Sequence, residues 1–292
     1  MPELPEVQTT VNELEKHIIG LSISDLWTDW PRIARFPQSI DLLAAKLRHQ
    51  RIIAVTRRAK YIVIKLSGGG NLYVHQKISG HLLYGKWKVE NNSWISQLEG
   101  EYCDPKNRFI RLVISLDNGY QIALADQRRF GKIMLTDDAA LPPIKELQEL
   151  GPEPLDVSKK EFRKLFNKKR GSIKQTLMDP RFIAGIGNIY ADEILWATNF
   201  HPLTRVEQLT ATSIDHIYAA TRRILIKAIR YQGSSVDDYR LPSGKKGRFQ
   251  EMHNAYHRTG QQCSRNDGGI IQRLKLGGRS AHFCSIHQRL TQ

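Results

Sequence analysis

Val7, Val11, Leu14 and Ile18 stand at helical spacing, which predicts an amphipathic helix over residues 7–19, almost at the start of the chain. From Leu21 to Leu135 the period changes. Short β-rich runs, among them Ile52–Val55, Tyr61–Leu66, Phe109–Leu116 and Gln121–Ala125, alternate with turns such as Gly68-Gly69-Gly70 and Asp117-Asn118-Gly119. This predicts an antiparallel β-sandwich or barrel. Pro142-Pro143 and Gly151-Pro152-Glu153-Pro154 then punctuate the chain, and helical periodicity follows through residues 160–166, 173–178, 190–196 and 211–230. A run rich in Gly, Ser and basic residues, 233–247, reads as a mobile loop before a compact tail with two of the cysteines. The expected architecture is α+β: a β domain over 1–138, a linker over 139–155, a helical domain over 156–250 and a tail over 251–292. No internal repeat is found.

With 292 residues, 40% hydrophobic and 25% charged, the chain can bury two cores as an ordinary globular protein. Its charge is less ordinary. Forty-four Lys and Arg against 29 Asp and Glu give +15, which points to a polyanionic partner whose counterions are released on binding. Nucleic acid is favoured over an anionic membrane, because the basic residues are spread along the chain and no basic amphipathic helix dominates. Glu3, Glu6, Glu13 and Glu15 argue against a signal or transit peptide, and no apolar run is long enough to span a bilayer. A cytoplasmic protein is expected. Cys103, Cys263 and Cys284 are an odd set, which leaves metal ligation or inert burial rather than a disulfide framework.

If Met1 is removed, the chain opens with the secondary amine of Pro2, the Glu3 carboxylate beside it and Glu6 three residues on. A terminal amine titrates near pH ~8, far below a lysine ammonium, so part of it is nucleophilic at neutral pH. Attack on an electrophilic sugar carbon would leave an iminium. Proline at position two more often does no more than permit methionine removal, so these residues need support from elsewhere.

Gly185-Ile186-Gly187-Asn188, leading into Ile189-Tyr190-Ala191-Asp192-Glu193, sets a glycine turn before a helix, where free N–H groups favour a phosphate. Lys168, Lys169, Arg170 and Lys174 strengthen that reading over a structural turn. Asp126-Gln127-Arg128-Arg129-Phe130-Gly131 joins two guanidinium groups to a ring that can fill a gap in a base stack, although a surface pair beside a core phenylalanine is the commoner explanation. Arg57-Arg58-Ala59-Lys60-Tyr61 brings a lysine to the entrance of a strand. In the tail, Cys263, Cys284 and His287 are good zinc ligands at zinc-ribbon spacing, with Asn266 or Asp267 as the fourth. Asp267 is the better donor, since carboxylate oxygen binds zinc and amide oxygen does so poorly. His282 is a possible substitute, but alternation sets it on the same face as Cys284.

Taken together and in order, the amino end, the Arg-Arg-Ala-Lys-Tyr run, the Arg-Arg-Phe-Gly turn, Gly-Pro-Glu-Pro, the Gly185 to Glu193 run and the cysteine tail resemble the bacterial formamidopyrimidine-DNA glycosylases. The resemblance spans essentially the whole chain. It implies an N-terminal antiparallel β-sandwich opening with a catalytic helix, then a helix-two-turn-helix domain and a zinc-ribbon-like β-hairpin, with DNA in the cleft between. It implies a monomer acting on double-stranded DNA with oxidised bases or abasic sites, excising oxidised purines such as 8-oxoguanine and formamidopyrimidines. In that scheme the Pro2 amine attacks C1′ of the damaged nucleotide while Glu3 handles protons at the sugar and leaving base. Successive β and δ eliminations then cut the strand.

The resemblance also implies that Lys60 lies near the sugar-phosphate and that Arg279 grips the lesion's phosphate. Asn188, Lys174 and Lys169 match phosphate-binding or basic positions, and Glu6 matches a carboxylate lining the lesion pocket. Asn107 falls where histidine often contacts DNA, although an apparent two-residue insertion before Gly119 leaves that alignment open. Arg128 and Phe130 match two of three side chains that fill the void left by the everted base. Ile78 stands where the third, a methionine, is expected, and its stiffness predicts insertion that is retained but less adaptable. One structural zinc held by Cys263, Asp267, Cys284 and His287 is expected, against a hairpin that folds without metal. The rival readings are an endonuclease VIII-like enzyme for oxidised pyrimidines and a degenerate, non-catalytic DNA-binding protein. Leu4 opposes the first, and retention of Pro2, Glu3, Lys60 and Arg279 opposes the second.

Overall fold

The computed structural model describes residues 1–137 and 144–290. The chain divides into two compact units, Met1–Gln148 with Tyr231–Gln250, and Glu149–Arg230 with Glu251–Gln292. The Pro142-Pro143 pair expected in the linker lies outside the described residues.

The first unit runs α1 (Leu4–Ile18), β1 (Ile23–Thr28), β2 (Ala34–Phe36), α2 (Ile40–Leu47), β3 (Ile52–Arg58), β4 (Tyr61–Leu66), β5 (Gly70–His75) and β6 (His81–Gly85). A small hairpin of β7 (Trp87–Glu90) and β8 (Ser93–Ser96) follows, then β9 (Ile110–Leu116), β10 (Gln121–Ala125), β11 (Lys132–Asp137) and α3 (Lys145–Gln148). The strands form a four-stranded sheet, β1-β9-β10-β6, and a five-stranded sheet, β2-β11-β5-β4-β3. The expected sandwich is present with one departure. Short β2 pairs parallel to β11, so the second sheet is not wholly antiparallel.

Val7, Val11, Leu14 and Ile18, the four positions that set the helical period, are all buried in one core with Ile62, Ile64, Leu72, Val74, Leu112 and Leu124. Each such side chain contributes roughly 1.5–3 kcal/mol relative to exposure. The helix thereby fixes the amino end against the sheets. On the other face of the four-stranded sheet, Leu83, Ile110, Val113 and Ala123 bury under Trp87 of the small hairpin.

Segment 231–250 differs from expectation. Residues 233–247 are expected as a mobile loop at the end of a helical domain over 156–250, but Tyr231–Gln250 packs with the first unit. Tyr84 N on the β6 edge donates to Pro242 O at 2.8 Å, Gly247 N donates to the Ser235 hydroxyl, and Arg240 pairs with Asp104. Its glycines serve close approach rather than freedom: a Cβ at Gly247 would lie 2.3 Å from Gln232 O.

The second unit contains α4 (Lys159–Phe166), α5 (Ile173–Met178), α6 (Asn188–Thr198) and α7 (Ala211–Arg230), then β12 (Ile271–Leu276) paired with β13 (Arg279–Cys284). Ser158 and Glu161 cap α4 reciprocally, and Phe162, Phe166, Phe182 and Tyr218 cluster behind it. The β12–β13 turn is Gly277-Gly278, both at positive φ, as a two-residue hairpin of the primed type requires.

Candidate active site

Glu3 is the N-cap of α1, and Pro2 and Glu3 are both buried. The Glu3 N–H donates to Glu6 Oε2 at 2.8 Å. Glu6 is only 1% exposed, and its other oxygen accepts from Ser234 N at 2.8 Å, while the Tyr239 hydroxyl donates to Glu6 O at 3.0 Å. The carboxylate expected to line a pocket is thus the tie between the amino end and segment 231–250. With Met1 attached, the Pro2 nitrogen is an amide nitrogen and cannot act as a nucleophile.

Lys60 sits half-buried in the β3–β4 turn, which closes through Ala59 at φ 53°. Arg57 braces that turn. Its guanidinium donates to Ala59 O at 3.0 Å and to Gln8 Oε1 on α1 at 2.9 Å, so one side chain links the Lys60 turn to the opening helix.

Ile78 and Phe130 are exposed apolar side chains, at 39% and 43%, and the Arg128 guanidinium stacks over the Phe130 ring at 4.7 Å. Behind them lies fully buried Asp126. It accepts from the Ser79 hydroxyl at 2.5 Å, and from Phe130 N and Gly131 N, each at 2.8 Å. Arg128 N reaches both Ser79 Oγ and Asp126 Oδ1. Both apolar tips therefore stand on turns joined by one carboxylate. A buried charge satisfied by several donors is a strong local organiser.

Two expected DNA contacts are interior. Asn107 is 2% exposed, with Oδ1 2.8 Å from His81 Nε2 and its amide donating to Glu101 O. His81 Nδ1 is buried with no hydrogen-bond partner among the described residues. Burial accordingly lowers the imidazole to about 4, with the Arg240 charge acting in the same direction and the Asn107 bond opposing.

Lys174 is likewise 1% exposed. Its ammonium donates to Asp192 Oδ1 at 2.6 Å and to Ser280 O at 2.7 Å, while His282 binds Asp192 Oδ2 through both N and Nδ1. This network joins α5 and α6 to β13 next to Arg279, which is exposed at the hairpin turn. Burial dominates the Asp192 carboxyl and raises it against the opposing pull of its partners. The neighbouring Glu193, also interior, accepts from the backbone of Asn254, Ala255 and Tyr256. The Asp192-Glu193 pair, read from sequence as part of a phosphate-binding helix, anchors the tail instead. Lys169 keeps partial exposure, paired with Asp179 over the Phe182 ring, and Asn188 opens α6 half-buried.

Cys263, Asp267, Cys284 and His287 bring their donor atoms within 4.8 Å of one another. Cys263 Sγ is 3.7 Å from His287 Nδ1 and Cys284 Sγ is 3.6 Å from Asp267 Oδ2. Donors on a tetrahedral ion with ordinary zinc bond lengths lie about 3.5 Å apart, so the two sulfur separations fit a metal, whereas His287 Nδ1 and Asp267 Oδ2, hydrogen-bonded at 2.5 Å, would have to part to admit one. His287 Nε2 lies 3.3 Å from Trp196 O, the outer hydrogen bond that holds a ligating ring in orientation. His282 is engaged by Asp192 and does not join the group.

The Formamidopyrimidine-DNA glycosylase N-terminal domain model matches residues 1–133, and the Formamidopyrimidine-DNA glycosylase H2TH domain model matches residues 150–240. The chain belongs to the formamidopyrimidine-DNA glycosylase family. Relatives of that name include one from Desulforamulus reducens, 34% identical with 99% of each chain covered, and one from Heliobacterium modesticaldum, 38% identical with 99% of this chain and all of the relative covered. Among solved structures, a Lactococcus lactis FPG mutant complexed with Fapy-dG containing DNA superimposes with a TM-score of 0.86 at 31% identity, covering 99% of this chain and 100% of that one. A complex of the Lactococcus lactis Fpg with abasic site containing DNA gives 0.85 over the same coverage and at the same identity.

For this formamidopyrimidine-DNA glycosylase family member, sequence reasoning overlooked Asp126, Ser79 and His81 as organisers. Asp126 had a local signal, since aspartate opening a turn often accepts from backbone N–H groups a few residues on. His81 had none, because its partner lies 26 residues away. Among the described residues no helix is long and apolar enough to cross a membrane.

Proposed function

We propose that this chain is a bifunctional DNA glycosylase and abasic-site lyase of base excision repair, acting in the cytoplasm on oxidised purines in duplex DNA. The observation that carries the reading is the buried Pro2-Glu3 head of α1, where Glu3 N is held by Glu6, on a helix that Arg57 ties through Gln8 to the turn carrying Lys60. Once Met1 is removed, the Pro2 amine attacks C1′ of the lesion nucleotide and the bond to the base breaks. Glu3 supplies and removes protons at the sugar. The ring-opened sugar is held as an iminium on Pro2, which acidifies the adjacent C–H bonds so that the 3′ and then the 5′ phosphate leave. Lys60 and Arg279 neutralise the phosphates on either side of these steps, with Lys169 and Asn188 supporting the backbone.

Ile78, Arg128 and Phe130 fill the stack left by the everted base, whose loss would otherwise cost a few kcal/mol. Cys263, Asp267, Cys284 and His287 would hold one structural zinc, which when bound stabilises the hairpin that carries Arg279. Near-stoichiometric zinc in protein purified without chelator supports this ligand set, and none, with DNA binding intact, removes it.

The function is tested by single-turnover assays on duplexes carrying 8-oxoguanine or dihydrouracil. Wild type should release 8-oxoguanine faster and leave phosphate on both ends of the gap, and Glu3→Gln should lower base release by about 10²-fold or more. Faster release of dihydrouracil would mark a pyrimidine-directed enzyme, and release of neither would leave a binding protein.

A further inference from the structure

Tyr61, His75 and Lys132 lie directly opposite one another across β4, β5 and β11, so their side chains share one face of the five-stranded sheet. The Tyr61 and His75 rings meet edge to face at 4.5 Å, and His75 Nδ1 accepts from Lys77 N at 2.9 Å, which holds the Lys77 backbone over the same row. Three donors of this patch converge on a single carboxylate. Lys132 Nζ reaches Glu146 Oε1 and Oε2 at 3.1 and 3.2 Å, the Tyr61 hydroxyl reaches Oε2 at 3.4 Å, and Lys77 Nζ lies 3.9 Å from it.

The balance of charge is uneven. Lys77 and Lys132 both act on the Glu146 carboxylate, so one exposed anion faces two lysine cations and a tyrosine hydroxyl. Burial, followed by the Lys132 charge, holds the Lys77 ammonium below its ordinary range, and Lys77 and Lys132 offset the burial of Glu146 to keep its carboxyl low. Such a patch favours a further anion. Glu146 itself is more than half exposed, and exposed ion pairs exchange at little cost.

The sequence neighbours say which anion. Lys77 precedes Ile78, Lys132 follows Phe130 by two residues and Tyr61 follows Lys60, so every donor of the patch adjoins a residue proposed to meet DNA. We propose that Lys77, Lys132 and Tyr61 form a binding subsite for a DNA backbone phosphodiester, and that Glu146 occupies it as an internal phosphate mimic that duplex DNA must displace. The inference rests on the DNA-binding reading above. A carboxylate and a phosphodiester carry the same single charge on two oxygens, so one can replace the other on the same donors. The effect would be selective, because only a duplex seated deeply enough to engage Ile78 and Phe130 brings a phosphate to this row.

The test is the affinity of the intact protein for a duplex carrying a stable abasic-site analogue, measured by fluorescence anisotropy. Glu146→Gln should bind roughly threefold tighter than wild type. Glu90→Gln makes the same charge change at the exposed Lys88 pair on the small hairpin and should bind like wild type. In a Lys77→Gln/Lys132→Gln background, Glu146→Gln should bring no gain. A second readout uses inorganic phosphate, which should raise the melting temperature of Glu146→Gln more than that of wild type, and not in the double lysine variant. The inference is overturned if Glu146→Gln binds no tighter than wild type, if Glu90→Gln matches its gain, if the gain survives loss of both lysines, or if phosphate stabilises all forms alike. Wild type that binds no duplex at all overturns the DNA reading itself, a separate outcome.

Discussion

The Ser79 hydroxyl donates to Asp126 Oδ1 at 2.5 Å and accepts from Arg128 N, so this one side chain joins the turn that carries Ile78 to the turn that carries Arg128 and Phe130. Three side chains from two loops are thereby presented together. Ser79→Ala should lower stability by about 1 kcal/mol, the net worth of one buried hydrogen bond, with some loss of lesion-duplex affinity. Asp126→Ala leaves several buried donors unpaired and should cost several times more. Urea denaturation of the two variants, with anisotropy on lesion duplex, measures both effects.

Ile78→Met keeps an apolar tip on the same turn but adds torsional freedom. Excision by the variant should be higher than wild type where the opposite base is changed and similar in the preferred pairing. Equal activity across all opposite bases would mean that Ile78 has no consequence for adaptability.

Gly233 stands at φ +75°, and a Cβ there would lie 2.9 Å from the Glu6 carboxylate. Gly233→Ala therefore meets both an unfavourable backbone region, about 1–2 kcal/mol, and a collision with a side chain held at both oxygens. Glu6→Gln replaces one of two buried acceptors by a donor, at about 1–3 kcal/mol. Both variants should raise amide exchange across 231–250, while an intact exchange pattern would mean that Glu6 does not hold this segment.

Folding should weaken in mild acid because of His81. Its folded value is about 4 against an ordinary 6.5, so between these pH values the unfolded chain binds a proton that the folded chain refuses. This contribution is complete above pH 6.5, falls as the pH drops, and is gone near pH 4, about 3 kcal/mol in all. Buried His75, lowered by burial and by its neighbouring lysines, acts with the same sign. The gap in denaturation free energy between wild type and His81→Asn should be constant above pH 6.5 and should change by the His81 contribution, against wild type, as the pH falls toward 4.

Lys174→Met breaks a buried ion pair and leaves Asp192 with His282 alone, which should cost about 3–5 kcal/mol. Its role is internal, so the dependence of log K on log salt for duplex binding should keep its slope. Loss of a phosphate contact would instead reduce that slope by about 0.9.

Much of this arrangement was legible in the chain. The spacing of Val7, Val11, Leu14 and Ile18 located α1 and its buried face, and the position of Pro2-Glu3 directly ahead of that helix marked the candidate nucleophile. The cysteine tail gave its four donors because ligand chemistry is local to two short stretches. Burial of polar residues was not legible. Lys174 and Asn107 carry the composition of surface residues, and only partners far along the chain, Ser280 for one and His81 for the other, draw them inside. The 233–247 run reads as a loop for a related reason, since glycines such as Gly233 beside Glu6 and Gly247 beside Gln232 suit close packing as well as they suit a loose loop. The parallel β2–β11 pair escaped notice because three residues are too short to show a period.

The central claim is that the amine of Pro2 becomes covalently bound to the damaged nucleotide. Borohydride reduction of wild type mixed with an 8-oxoguanine duplex, followed by peptide mass mapping, tests it most directly. An adduct on the peptide that begins at Pro2, absent from protein carrying an uncleaved amino-terminal extension that still binds the duplex, is the predicted result. An adduct on Lys60 or any other lysine, or one formed equally well with the amino end blocked, would contradict it.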